Sequence, residues 1–219
     1  MTRRTRIKIC GLTREADVDA AVQAGADAVG FVFYEKSPRA VTLARAVTLA
    51  QRLPPFVMPV GLFVNADAAE IEAACAAIPQ LLLQFHGDET PADCERPGRP
   101  YLRAARVAPG FDLLDFSSRF AHAQAILLDA HVDGYGGGGK VFDWSLVQSP
   151  KREPARASAA RAGPPLVLSG GLSAANVIDG IRTLRPWAVD VSSGVESAKG
   201  IKDAEAIRRF CDAVRAADA

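Results

Sequence analysis

Two side chains have the chemistry and the setting for proton transfer on a small molecule. Cys10 ends a short apolar run at residues 6–10 and is followed by Gly11, and Asp129 ends the run Ile126-Leu127-Leu128. A thiolate is a competent base, and an aspartic acid whose pKa is raised by burial is a competent acid near neutral pH. Each residue also has a plainer reading. A buried cysteine more often fills space, and an aspartate at a strand end often bonds the backbone of the loop behind it. Only its place before a glycine at the end of a run sets Cys10 apart from Cys75, Cys94 and Cys211.

Anions have two places to bind. Leu168-Ser169-Gly170-Gly171-Leu172 and Ser192-Ser193-Gly194-Val195-Glu196 each follow an apolar run. Glycine lets backbone amides approach a phosphate closely, and amides at a helix start attract it. Either loop alone could be a mere turn, but the pair makes the stretches with Gly171, Ser193 and Gly194 the expected phosphate contacts. Arg39, in Ser37-Pro38-Arg39, has the fork that grips a carboxylate with two parallel hydrogen bonds, although on its own a surface arginine is the plainer reading. His86, in Leu83-Gln84-Phe85-His86-Gly87, is expected to line the pocket without moving a proton itself. The run Gly136-Gly137-Gly138-Gly139-Lys140 lacks the Walker spacing, and Val141 stands where Ser or Thr would follow the lysine. It reads as a lid or an inert loop.

These residues need a frame that gathers distant parts of the chain. Apolar runs at 6–10, 28–33, 59–64, 81–86, 101–107, 125–130, 166–170 and 189–193 read as strands. Helix-like stretches separate them, at 14–24, 42–52, 68–77, 112–120, 174–184 and 203–216, with another beginning at Ser145. Thr42 and Asp67 are expected N-caps. Pro91, Pro97 and Pro100 leave room for only a short turn after Thr90. Eight strand–helix units fit a closed parallel barrel or a doubly wound sheet. The count of eight, and chemistry-bearing residues at the C-terminal ends of strands, favour a (β/α)8 TIM barrel, one domain over 1–219.

Side chains alternate between the two faces of a strand. With Ile7, Ile9, Ile126, Leu128, Val189 and Val191 facing the helices, Lys8, Cys10, Leu127, Asp129 and Asp190 face the barrel interior. The first and eighth strands of a closed barrel are neighbours. Lys8 and Asp190 are thus expected to form a buried ion pair whose ammonium favours the Cys10 thiolate.

A formal net charge of +1 gives no field to gather nucleic acid or an anionic membrane. No run approaches the roughly 18 apolar residues of a membrane span. The basic start, Arg3-Arg4-Thr5-Arg6, is not followed by the apolar run of a secretory signal. The four cysteines form no Cys-x-x-Cys pair, and no histidine stands at metal-ligand spacing. Reduced thiols, a cytoplasmic location and no metal are expected. Residues 151–165 read as a solvated extension.

In order along the chain, KICGLT at 8–13, GFVFYEKSPR at 30–39, GLFVN at 61–65 and LQFHGDE at 83–89 resemble the phosphoribosylanthranilate isomerase family. The resemblance continues with LLDA at 127–130, GGGGKVFDW at 136–144, LSGGL at 168–172 and VDVSSGVE at 189–196, and so covers nearly the whole chain. It implies a TIM barrel and an Amadori rearrangement in tryptophan synthesis. N-(5-phosphoribosyl)anthranilate becomes 1-(2-carboxyphenylamino)-1-deoxyribulose 5-phosphate. It further implies Cys10 as general base, Asp129 as general acid, Arg39 on the anthranilate carboxylate, and the amides around Gly171 and Gly194 on the phosphate. It implies no metal, nucleotide or redox cofactor. The expected partner is a small phosphorylated substrate, with no nucleic acid and no membrane, and the expected assembly is a monomer or homodimer.

Two features depart from the family pattern: Gly138 stands where a threonine is usual, and 151–165 is longer and more basic. A barrel performing the same rearrangement on a histidine-pathway aminoaldose is the competing enzyme; resemblance implies that such enzymes use two aspartates on a substrate with a phosphate at each end, and Cys10 at the first-strand position argues against it. A silent phosphosugar-binding barrel is the competing non-enzyme, and the presence of both Cys10 and Asp129 argues against it.

Overall fold

The computed structural model describes residues 4–130, 143–147 and 163–219. The Gly136-to-Lys140 lid, with Gly138, and all but the last three residues of the 151–165 extension lie outside the described residues. Eight parallel strands close a barrel in chain order, with the last pairing back onto the first. They are β1 (Arg6–Cys10), β2 (Ala28–Val32), β3 (Met58–Phe63), β4 (Leu82–Phe85), β5 (Tyr101–Val107), β6 (Ala125–Ala130), β7 (Leu166–Leu168) and β8 (Ala188–Val191). Helices α1 (Glu15–Gln23), α2 (Leu43–Ala50), α3 (Ala68–Ala77), α4 (Pro91–Glu95), α5 (Leu113–Arg119), α6 (Val177–Leu184) and α7 (Ala204–Asp218) follow strands around the ring. A 3-10 turn, Trp144–Val147, lies between β6 and β7. No helix among the described residues is long and apolar enough to cross a membrane.

Alternation divides the apolar residues into two cores. Ile7, Ile9, Val29, Phe31, Leu83, Phe85, Ile126, Leu128, Val189 and Val191 pack outward against Val18, Leu49, Ile71 and Phe210 of the helices. Each such side chain contributes about 1.5–3 kcal/mol on burial. Val60, Leu102, Ala104, Ala125, Leu127, Val167 and Ala188 fill the barrel interior. Lys8, Cys10, Gln84, Asp129 and Asp190 also face inward, and all five are buried.

Helix starts follow the expected caps. Thr42 accepts from the Arg45 amide and Asp67 from the Glu70 amide. The short turn expected after Thr90 is the five-residue α4, held by a capping box between Thr90 and Asp93. Strand ends depart more. The run 166–170 stops at Leu168 because Gly170 and Gly171 take φ of 78° and 64°, outside the extended region. The helix expected from 174 starts at Val177. Asn176 instead bonds the Ser173 amide at 2.9 Å and the Gly171 carbonyl at 3.0 Å. A small antiparallel pair, β9 (Glu196–Ala198) and β10 (Ile201–Lys202), follows β8 and was not anticipated from the sequence.

The packed cysteines make stability depend on pH. Burial pushes Cys94 up to about 12 and Cys211 up to about 11. An unfolded thiol titrates near about 8.5. Above that pH the unfolded chain sheds protons that the folded chain keeps, so stability is whole below it and falls as pH rises. Urea midpoints are expected to drop between about pH 8.5 and 10.5, and Cys94→Ala with Cys211→Ala to remove part of that slope.

Candidate active site

The C-terminal end of β1 places Cys10 on the inner face of the barrel. Lys8 donates to Asp190 at 2.9 Å, and both side chains are buried, as the strand register Lys8↔Asp190 requires. The Lys8 ammonium and the Cys10 sulfur both lie against Gly30, and Cys10 is 5% exposed. Burial acts to lower the Lys8 pKa, but Asp190 and Cys10 outweigh it and raise it. For Cys10 the balance falls the other way. Burial pushes the thiol up, and the opposing pull of the Lys8 charge does not overcome it. The expected pull of the ammonium toward the thiolate is therefore present, and burial opposes it.

Gly30 faces Cys10 across the β1–β2 pair. A Cβ there would lie 2.7 Å from the sulfur and 3.2 Å from the Lys8 nitrogen. The glycine is the room in which the thiol sits, and sequence reading missed it. Gly30→Ala is expected to displace the sulfur and lower kcat about 100-fold, the usual cost of a misplacement near 1 Å, with the circular-dichroism spectrum unchanged.

Asp129 sits on the inner face at the end of β6, three strands from β1 around the ring. One oxygen accepts from the Ala130 amide at 2.9 Å, the backbone role foreseen for a strand-end aspartate. The other lies 3.0 Å from His86 Nε2, and Gln84 Nε2 lies 3.2 Å from His86 Nδ1. An amide nitrogen can only donate, so Nδ1 accepts and the imidazole proton sits on Nε2, aimed at Asp129. His86 is therefore a direct partner of the Asp129 carboxyl. Gln84, on the inner face of β4, was not singled out in the sequence, although its place two residues before His86 on an alternating strand was the available signal.

A buried brace fixes the loop carrying His86. Glu89 accepts from the Asn65 and Gly87 amides, each at 2.8 Å, and Arg103 donates to the carbonyls of Phe85 at 2.9 Å and Gly87 at 3.0 Å. Burial lowers the Arg103 pKa, and the Phe120 ring lies 4.9 Å from its guanidinium carbon.

The two glycine loops pack backbone on backbone. Gly171 follows β7, and Ser193 opens a 3-10 turn, Ser193–Val195, that contains Gly194. A Cβ on Gly194 would lie 1.9 Å from the Leu172 carbonyl oxygen. Gly194→Ala is expected to push the loops apart and raise KM about 100-fold with a smaller change in kcat, as lost hydrogen bonds to a charged phosphate should. Inorganic phosphate is expected to inhibit the variant correspondingly less.

Arg39 is buried beside the same mouth, and a Cβ on Gly11 would touch its Cδ at 2.5 Å. It does not stand free. Its Nε and Nη2 donate to the two oxygens of Glu196 at 2.7 and 2.8 Å. Lys202 donates to Glu196 at 2.8 Å and to the Ser192 carbonyl at 3.1 Å. Burial acts to raise the Glu196 pKa, but the bonds from Arg39 and Lys202 outweigh it and hold the carboxyl below its ordinary value. Neither partner was identified from sequence.

Residues 7–213 match the model of the family described as N-(5'-phosphoribosyl)anthranilate (PRA) isomerase. The N-(5'-phosphoribosyl)anthranilate isomerase of Methylibium petroleiphilum is 74% identical, over 99% of this chain and 96% of that one. A crystal structure of phosphoribosyl anthranilate isomerase with reduced 1-(o-carboxyphenylamino)-1-deoxyribulose 5-phosphate is 37% identical, with a TM-score of 0.81 over 97% of this chain and 99% of that one. Monomers generated from the dimeric Thermotoga maritima protein are 35% identical, with a TM-score of 0.79 over 97% and 99% of the two chains.

Proposed function

Since the chain belongs to the N-(5'-phosphoribosyl)anthranilate isomerase family and catalyses that family's Amadori rearrangement in tryptophan biosynthesis, we propose that Cys10 and Asp129 carry out its proton transfers. The protonated Asp129 gives its proton to the furanose oxygen. The bond from that oxygen to C1 breaks, and the anthranilate nitrogen pair forms a Schiff base with C1. The Cys10 thiolate then takes the proton from C2. That electron pair becomes the C1–C2 double bond, and the nitrogen regains its lone pair. Loss of the enol hydroxyl proton and protonation of C1 give the ketone and return both residues to their starting forms. An acid and a base suffice, and no cofactor is needed.

The observation that carries this reading is the Lys8–Asp190 pair against the Cys10 sulfur. Burial favours the thiol and the adjacent ammonium favours the thiolate, which is the form that acts as the base. The Asp129 carboxylate left after proton transfer is held by the Ala130 amide and by His86 Nε2. Amides of Gly171, Ser193 and Gly194 hold the phosphate, Arg39 meets the anthranilate carboxylate, and His86 lines the pocket. The finer readings go with this: one barrel domain over 1–219, a cytoplasmic location, no nucleic-acid or membrane partner, and work as a monomer or as a homodimer. The dimeric T. maritima relative supports the second assembly.

Complementation tests the reading. In a tryptophan auxotroph lacking this isomerase, the wild-type gene should restore growth, and Cys10→Ala and Asp129→Asn should not while still accumulating as folded protein. Full rescue by both variants would show that the roles are misassigned.

A further inference from the structure

Arg39, Glu196 and Lys202 are tied more tightly than a carboxylate contact alone requires. The side chains of Arg39 and Glu196 are 9% and 6% exposed, and that of Lys202 is 0% exposed. Three segments are locked around them. The Thr13 hydroxyl donates to the Gly200 carbonyl at 2.7 Å, and Arg14 donates to the Lys202 carbonyl at 3.0 Å. A Cβ on Gly200 would lie 2.7 Å from the Pro38 carbonyl, so β9–β10 sits directly on the loop that carries Arg39.

A guanidinium holds five donors in one plane. Glu196 takes one edge of it, Nε and Nη2. Among the described residues nothing bonds Nη1. The charges also fail to balance, because two cations face one carboxylate. A buried charge left without a partner is costly. One further carboxylate arriving at Nη1 would supply both the missing charge and the missing acceptor.

We infer that Glu196, anchored by Lys202, is a positioning residue that clamps Arg39 so that only its Nη1 edge meets the aryl carboxylate of the substrate. The inference rests on Arg39 taking that carboxylate. A free arginine fork can present either edge to an acid, and the aryl ring would then dock in more than one register. The clamp leaves one. Lys202 also donates to Ser192, at the start of the loop read as holding the phosphate, at 3.1 Å to its carbonyl and 3.3 Å to its hydroxyl. The carboxylate end and the phosphate end of the substrate are therefore spaced by one strut.

The test compares two ligands by calorimetry: reduced 1-(o-carboxyphenylamino)-1-deoxyribulose 5-phosphate and its phenylamino counterpart without the carboxylate. The wild type is expected to prefer the carboxylate by about 100-fold. Arg39→Met should bring that ratio near unity. Glu196→Gln alone strands two cations and is expected to lower Tm. Glu196→Gln with Lys202→Met removes one charge of each sign and preserves the net charge. This double variant should lose at least about tenfold of the ratio while binding the phenylamino ligand within about threefold of wild type, with KM rising more than kcat falls. Glu196→Asp keeps every charge, draws the carboxylate back by one methylene, and should give an intermediate ratio. A wild-type ratio in the folded Glu196 variants, with Arg39→Met still losing it, overturns the clamp alone. A wild-type ratio in Arg39→Met overturns the carboxylate reading of Arg39 and the clamp with it.

Discussion

Cys10→Ala is expected to lower kcat by about 10⁴-fold, the upper end of the effect of losing a general base. The upper end applies because the proton leaves carbon, and no other side chain with a basic atom is assigned to C2. Water admitted in place of the sulfur would be a weaker base without a fixed position. KM should stay within about threefold of wild type, since the thiol takes no part in holding phosphate or carboxylate. The Lys8–Asp190 bond survives the change, and the loss of one buried sulfur should cost about 1 kcal/mol of stability. Cys10→Ser should behave almost as badly, because an alkoxide is far harder to form than a thiolate. A loss of activity accompanied by a collapse of Tm would assign Cys10 to packing instead.

Asp129→Asn is expected to cost about 10³-fold in kcat with KM little changed. Asparagine keeps the shape and one carbonyl oxygen. It can still accept from the Ala130 amide or from His86, which Asp129 engages at 2.9 and 3.0 Å. What it lacks is an acidic proton for the furanose oxygen. The fold should therefore hold, with urea midpoints near wild type, while ring opening slows. Stopped-flow fluorescence of the anthranilate group separates binding from chemistry in both variants and would show normal binding followed by a slow or absent conversion.

How much of this was legible beforehand follows from the range over which each feature is decided. Strand faces were legible because alternation is local: Ile7 and Ile9 out, Lys8 and Cys10 in. From that and barrel closure the Lys8–Asp190 pair followed, although 182 residues separate the partners. The two glycine loops proposed to hold the phosphate were singled out from their glycines. The Arg39–Glu196 pair was not, because it depends on the β9–β10 turn folding back onto the loop after β2, and no periodicity announces that turn. Strand ends were overrun at Gly170 and Ser193, where left-handed glycines and a 3-10 turn take over from apolar runs that continue in the sequence. For Cys10 only one side of the balance was legible. A neighbouring ammonium can be read from the chain, but the depth of burial that opposes it cannot.

The most direct measurement is a crystal structure of this protein with reduced 1-(o-carboxyphenylamino)-1-deoxyribulose 5-phosphate bound. The account predicts the Cys10 sulfur within about 3.5 Å of the sugar C2 and the Asp129 carboxyl within about 3.2 Å of the hydroxyl derived from the ring oxygen, on opposite sides of the chain. A bound sugar with C2 beyond about 5 Å of the sulfur, or with both groups on one side, would contradict it.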